Sequence, residues 1–562
     1  MNQKNKHWYV ADFETTSYKY YQENGFTKVW LWSICNENEK IVANGSTIDE
    51  FIETIKKFKH SVVYFHNLKF DGSFILNWLL TNGYDYVEDL KVSDNKGFST
   101  LIGSEGQYYQ IKINFKHNHQ IVIQDSLKII PLSVAEIAKA FDLPIDKEII
   151  DYENYEINPT TIEYVNHDVL IVTKALNFFK DQSFNKMTIG ANAYNIFKSS
   201  FPNFELVFPT LKRDWLIEWR KAYRGGRSQV NPRYANKIVY NIRRYDINSM
   251  YPNALARYEM PYGYPISITK TGKFKFELYK VDICFRLKKG HLPTLLKKSG
   301  LFNKGDSYYT ETDLIETMYI SNIDLELVYR HYDVMYIKYV EMYGFKTSRY
   351  LFTRFINTYY ELKSNSTGGM KMLYKLIINN LYGKFGSKCK GRTKRPILED
   401  DGLHFDLTEE ENRTCYYLPV AIAVTSYCHR DIDNAIMKTG YKNFVYCDTD
   451  SVHTLGTLPD SMVDSKELGK FKLEAVEDIG KYVRQKCYCH KDGNEYNITC
   501  AGMTKGIKSY LITKYGNDIF KIFKVGLKVD INSEGITYEQ VKKLPKQVPG
   551  GVVLKPTQFQ LL

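Results

Sequence analysis

The chain has 562 residues, with 44% hydrophobic and 25% charged residues, proportions ordinary for a folded globular protein, and a formal net charge of +12. That length exceeds what one hydrophobic core organises, so several domains are expected, and the moderate basicity points only weakly to a polyanionic partner. Nine scattered cysteines, an N-terminus without a signal-type apolar run and a longest apolar stretch confined to 418–424 argue against a disulfide scaffold and a membrane span.

The reading is therefore of a soluble intracellular protein. Its 46 tyrosines and 31 phenylalanines, interleaved with Lys and Arg, suit base stacking beside phosphate contacts, although an aromatic core looks similar.

In chain order, His7–Phe13 reads as a strand, and Asp12 and Glu14, two residues apart, share one face. Paired carboxylates call for a cation between them. Residues Lys28–Ile34 supply a neighbouring strand, and Thr47–Phe58 a helix with Ile52, Ile55 and Phe58 on one side. A buried strand at Val62–Phe65 runs into a polar loop bearing His66, Asn67 and Asp71, before a helix that starts at Phe74. Strand, polar loop and helix is where α/β proteins place ligand groups. A strand at Gln120–Ser126, a helix at Leu132–Phe141 and a long helix at Thr161–Phe179 follow. In the long helix Tyr164 and Asp168 lie four apart, on one face.

Tyr164 and Asp168 taken alone read as a helix-surface pair. Together Asp12, Glu14, Asp71 and Asp168, with Tyr164 to position a water, make a kit for two-metal phosphodiester hydrolysis. The stretches DFET at 12–15, Asn67…Phe70-Asp71 and Tyr164-Val165-Asn166-His167-Asp168 resemble the DEDDy family of 3′–5′ exonucleases. That resemblance implies DNA contacts at Thr15, His66, Asn67 and Phe70, and a lysine before the third motif at Lys147.

Asp181–Ala193 reads as a linker or a domain entry. After a basic helix at Leu211–Ala222 comes Tyr223-Arg224-Gly225-Gly226-Arg227, where paired glycines permit close backbone approach and the arginines suit phosphate; a plain turn is the alternative. The segment Ile238–Pro252 reads as a strand ending at Asp246, then a turn into a helix. Lys371–Gly386 is a helix with Lys375, Asn379 and Tyr382 on one face. A lysine there suits a triphosphate and a tyrosine suits a base pair. A basic loop opens at Lys388, Lys390, Arg392, Lys394 and Arg395, read as a DNA-facing clamp or a solvated excursion. Asn443–His453 reads as a hairpin whose tip carries Asp448 and Asp450, and Asp246 is the third carboxylate such a metal site needs. Cys487, Cys489, His490 and Cys500 offer a weak zinc pattern, since the CxC spacing is unusual for one.

The segments DINSMYP at 246–252, KLIINNLYG at 375–383 and YCDTDS at 446–451 resemble motifs A, B and C of family B DNA polymerases, with Met250 and Asn380 replacing the usual Leu and Ser. Lys486-Cys487-Tyr488 resembles the KxY motif of the same family. Taken with the exonuclease motifs, the likeness spans nearly the whole chain and is closest to the protein-primed branch from small linear-genome tailed bacteriophages.

The resemblance implies a multidomain α/β and α+β fold: a ribonuclease-H-like exonuclease domain and a right-hand polymerase with two insertions. The expected boundaries are 1–187 exonuclease, 188–258 first part of the palm, 259–350 an insert contacting terminal protein, and 351–386 fingers. A DNA-clamping second insert at 387–416, the rest of the palm at 417–517 and a thumb at 518–562 complete them. It implies two Mg²⁺ per active site, with Mn²⁺ as a substitute. In the polymerase site these would sit on Asp246, Asp448, Asp450 and the Ile247 carbonyl; in the exonuclease site, on Asp12, Glu14, Asp71 and Asp168.

Tyr251, Lys363, Lys375, Asn379 and Tyr382 would meet the nucleotide, with Tyr251 excluding a 2′-hydroxyl and Lys363 in a polar turn. Tyr223, Gly225, Gly226, Ser249, Lys371, Thr425, Lys486 and Tyr488 would meet DNA. The arginine of the family's T-x₂-[AG]-R motif falls one place late, leaving His429 or Arg430 for that contact. Partners would be template and primer DNA, dNTPs and a terminal protein, for a monomer in the host cytoplasm. A silent DNA-binding relic has no chemical reason to keep all seven acidic positions, and Tyr251 with the proofreading kit argues against an RNA-dependent polymerase.

Overall fold

The computed structural model describes residues 7–58, 60–88, 96–115, 119–143, 153–297 and 307–562. Lys147 lies outside them. The N-terminal region is an eight-stranded mixed sheet. Trp8–Thr15 sits centrally, antiparallel to Val29–Asn36 and parallel to Val62–Phe65, which is in turn parallel to Gln120–Asp125. The near-continuous burial of Val29–Asn36 marks a strand covered on both faces. Helix Pro159–Asp181 packs across it, started by an Asn158 capping box and Pro159.

Of the stretch read as a linker or domain entry, 182–188 is irregular and the rest enters a helix. Helix Ile189–Ser200 follows after a short turn and buries Phe197 in an aromatic cluster. Its ring stacks on Phe352 at 4.8 Å and meets Phe204, Phe355 and Phe385. Burial of that much apolar surface holds the helix. Phe197→Ala is expected to cost about 3–5 kcal/mol of stability, read as a lower urea midpoint.

The central sheet is antiparallel and seven-stranded. Ile238–Ile247 lies between Phe471–Arg484 and the Ser451–Thr454 arm of the hairpin with Phe444–Asp448, and Ser228–Val230 closes the far edge. The wholly buried first half of helix Leu418–Thr439 backs this sheet.

Residues 260–348 form a separate four-stranded sheet with helix Asn322–His331. Two small hairpins, Lys394–Glu399 with Gly402–Leu407 and Lys542–Val548 with Gly551–Thr557, meet each other and the N-terminal sheet. A Cβ on Gly402 would stand 2.8 Å from the Val548 amide nitrogen. The Thr27 amide donates to the Pro549 carbonyl at 2.9 Å, and Leu403 and Val552 share the N-terminal core. The basic loop is therefore an anchored hairpin rather than a free excursion. Among the described residues no helix is long and apolar enough to cross a membrane.

Candidate active sites

Asp71 lies in the first turn of helix Leu68–Thr81, not in a loop, because Asn67 takes a left-handed φ of 79° and starts the helix early. Asp125 Oδ1 accepts from the Asn67 amide at 3.1 Å, holding that entry, while Oδ2 pairs with Lys128. Asp125 is a site-shaping residue the sequence reading missed; its place at a strand end before Ser126 was the available signal.

Burial, then the charges of Asp71, Glu14 and Asp168, push the Asp12 carboxyl well up. Burial, then Asp168 and Asp71, push Glu14 up to about 8, and burial takes Asp71 to about 8. The fold thus gathers four carboxylates from one strand and two helices into mutual electrostatic reach. That arrangement is unfavourable without added positive charge. Thr15 and Phe70 are half-buried beside them, and Asn67 is exposed. His66 turns inward instead: its ring nitrogens meet Ser126 Oγ at 2.9 Å and the Leu132 carbonyl at 2.6 Å, so it has no polar atom left for DNA.

At the second site Asp246 ends the strand that pairs with Ser451, and the Ile247 amide donates to the Asp450 carbonyl at 2.8 Å. Strand pairing therefore sets Asp246 beside Asp450, although they lie 204 positions apart. Burial, then Asp450, pushes the Asp246 carboxyl up to about 7; burial also raises Asp450. Asp448 differs because Lys486 Nζ lies 2.8 Å from it. That leaves Asp246 and Asp450 as the pair most in need of a cation. The donors are all oxygen, the set that hard divalent ions take.

An open cleft of about 500 Å³ adjoins this pair, lined by Ser249, Tyr251, Lys375, Asn379 and Tyr382 among others. Tyr251 and Tyr382 stack at 4.1 Å. Lys363 is in helix Thr353–Ser364, not a turn, and its Nζ donates to Ser249 Oγ at 3.1 Å. Burial, then Lys375 and Lys371, push its ammonium down to about 8. Thr449, Ser249 and Lys486 have φ of 58°, 53° and 53°, so strained backbone collects here.

Several expected contacts are turned inward. Thr425 is buried in helix Leu418–Thr439 and donates back to the Ala421 and Ile422 carbonyls. Tyr488 is buried against Tyr446, Tyr482 and His453. Arg224 and Arg227 do not face phosphate: Arg224 is buried on the Leu296 and Tyr319 carbonyls, and Arg227 pairs with Asp433 at 3.1 Å. His429 is buried between Asp324 (2.9 Å) and the Gly225 carbonyl (2.6 Å), whereas Arg430 lies over the rings of Tyr258 and Tyr427. Gly225 is exposed, and Gly226 abuts the Thr449 side chain, where a Cβ would meet Oγ1 at 2.8 Å. Tyr223 is half-buried with its ring against Gly386, and Lys371 is exposed.

The zinc pattern also fails. On the Cys487–Asp492 strand Cys487 faces Cys500 at 3.4 Å, while His490 points the other way toward Glu477. A separate acidic group at Glu399, Asp401 and His404 lies at an exposed hairpin tip, with His404 hydrogen-bonded to Asp401.

A family model described as DNA polymerase type B, organellar and viral, matches residues 52–156 and 151–467. The DNA polymerase of Bacillus phage phi29 is 35% identical over 595 residues, covering 98% of this chain and 98% of the relative. That of Streptococcus phage Cp-1 is 31% identical over 598 residues, covering 99% and 98%. The solved structure of the phi29 polymerase complexed with primer-template DNA and incoming nucleotides superposes with a TM-score of 0.89 at 33% identity, covering 99% of this chain and 100% of that one.

Proposed function

This chain belongs to the type B DNA polymerases of viruses and organelles, and from that premise we propose that it copies a linear viral genome by protein-primed, strand-displacing synthesis and proofreads with a 3′–5′ exonuclease. The observation that carries the polymerase reading is the Asp246–Asp450 pair opening onto a cleft lined by Lys375, Asn379, Tyr251 and Tyr382. The proofreading reading rests on the separate group of Asp12, Glu14, Asp71 and Asp168.

Asp246 and Asp450 would hold two Mg²⁺, assisted by Asp448 and the Ile247 carbonyl. When bound, the ions supply charge neutralisation at the triphosphate and a lowered pKa at the primer 3′-hydroxyl. The chain's own groups position the reactants. Lys363, Lys371 and Lys375 gather positive charge where a triphosphate would lie. Tyr251, braced by Tyr382, places a ring where a 2′-hydroxyl would clash, favouring dNTPs. Lys486 offsets part of the Asp448 charge, which weights the cation site toward Asp246 and Asp450. In the first site Tyr164 would orient the attacking water.

The proposed division is that of the family: exonuclease to 187, palm in two parts, a terminal-protein insert at 259–350, fingers, a clamping hairpin at 387–416, and a thumb from 518. The contact between the two small hairpins and the N-terminal sheet supports a closed path around DNA.

Extension of a primed circle, run beside deoxynucleotidylation of a candidate terminal protein, tests the whole reading. Long displaced product and labelled protein are expected; extension without protein labelling would remove protein priming. Lys363 gives a pH test. A triphosphate draws a proton onto its lowered ammonium, so KM for dNTP should rise severalfold as pH climbs through about 8, where the free amine forms. Lys363→Met should flatten that limb.

A further inference from the structure

Nucleotidyl transfer accounts for Asp246 and Asp450, but not for Asp433, a carboxylate with no exposed surface behind them. Asp433 lies in helix Leu418–Thr439 and meets cationic side chains from two other parts of the chain. Arg227 Nη1 is 3.1 Å from Oδ1, and Arg330 Nη1 is 2.9 Å from Oδ2. His331 Nε2 lies 3.0 Å from the same carboxylate. Burial alone would push the Asp433 carboxyl up, but His331 and Arg227 outweigh it and hold it below the usual range.

What distinguishes this junction from an ordinary buried pair is where the Arg227 backbone goes. Its carbonyl accepts from the Thr449 amide at 2.7 Å, at the turn between Asp448 and Asp450. The next residue, Ser228, pairs with Asp448 in the sheet. Gly225 and Gly226 have no side chain of their own, so the loop is held by the Arg227 guanidinium on Asp433, by His429 on the Gly225 carbonyl at 2.6 Å and by the Tyr308 hydroxyl on the Ser228 amide at 2.9 Å. With Asp433 neutralised, the buried Arg227 guanidinium would lose its ion-pair partner while Arg330 keeps Glu326 at 3.0 Å, and removing one partner of a buried pair is the costly change.

We propose that Asp433 is a positioning residue for the polymerase site: its pair with Arg227 fixes the loop whose carbonyl holds Thr449, and so fixes the Asp448–Asp450 turn. Arg330 and His331 make helix Asn322–His331 the second support of the same carboxylate. The proposal rests on reading Asp246, Asp448 and Asp450 as the polymerase carboxylates.

The test is a double-mutant cycle on the full chain with Asp433→Asn, Arg227→Gln and both together. Steady-state primer extension is measured beside hydrogen exchange of the peptide spanning 443–453. Each single variant is expected to lower kcat about tenfold with KM for dNTP changed less than about threefold, and the double variant to be no worse than the poorer single. Exchange of the hairpin peptide should quicken, while exchange at 62–81 and 3′ degradation stay as in the parent. Asp433→Glu should recover part of kcat.

Arg227→Gln leaves Asp433 paired to Arg330 and His331, so it stays readable if Asp433→Asn fails to fold. Unchanged kcat or unchanged hairpin exchange overturns the proposal, as do losses that multiply in the double variant. Equal loss of 3′ degradation with exchange raised everywhere would mark a merely structural pair, which also overturns it. Failure of the underlying site reading appears separately, as extension that survives Asp450→Asn.

Discussion

Asp450→Asn is expected to lower primer extension by about a thousandfold while 3′ degradation continues. The substitution keeps size and shape but removes the charge of one of the two carboxylates that burial raises. Asp448 cannot replace it, because Lys486 already sits 2.8 Å from that carboxylate. A bound metal contributes several kcal/mol of charge stabilisation, and each 1.36 kcal/mol is about tenfold, which gives the expected loss of roughly three decades. Single-turnover extension with saturating Mg²⁺ measures it. Extension within about tenfold of the parent would remove Asp450 from the metal site.

Asp12→Ala combined with Glu14→Ala should give the converse result. Degradation of a single-stranded 3′ end is expected to fall by about a thousandfold or more, with extension of a matched primer within about twofold. The two residues lie on one strand of the N-terminal sheet, and burial with repulsion from Asp71 and Asp168 already raises both carboxyls. Removing them relieves that repulsion, so the double variant is expected to unfold no earlier than the parent. A terminal mismatch should separate the activities further, since the variant would extend it without trimming. Loss of both activities would argue against two independent sites.

The acidic residues of the two candidate sites were legible because each follows a local rule. Asp12 and Glu14 alternate along a strand, Tyr164 and Asp168 stand one helical turn apart, and Asp448 and Asp450 flank a hairpin tip. Such periodicities survive in one dimension. The early helix start at Asn67 was not legible, because it depends on the Asp125 carboxylate accepting from that amide across 58 positions. The helix that starts at Ile189 was not legible for a related reason: it is held by Phe197, whose partner Phe352 comes far later in the chain.

Motif resemblance pointed to the family, and strand and helix periods, which set which neighbours share a face, pointed to the carboxylates of the two candidate sites. Only the tertiary structure decided which polar groups reach solvent. Arg224, Arg227, His66, Thr425 and Tyr488 have the composition of DNA contacts, yet each is turned inward by a partner or a packing surface. For Arg227 that partner is 206 positions away. A guanidinium on phosphate and a guanidinium on a buried carboxylate look alike in sequence. The difference lies in whether long-range packing excludes water from the pair, which no local pattern encodes.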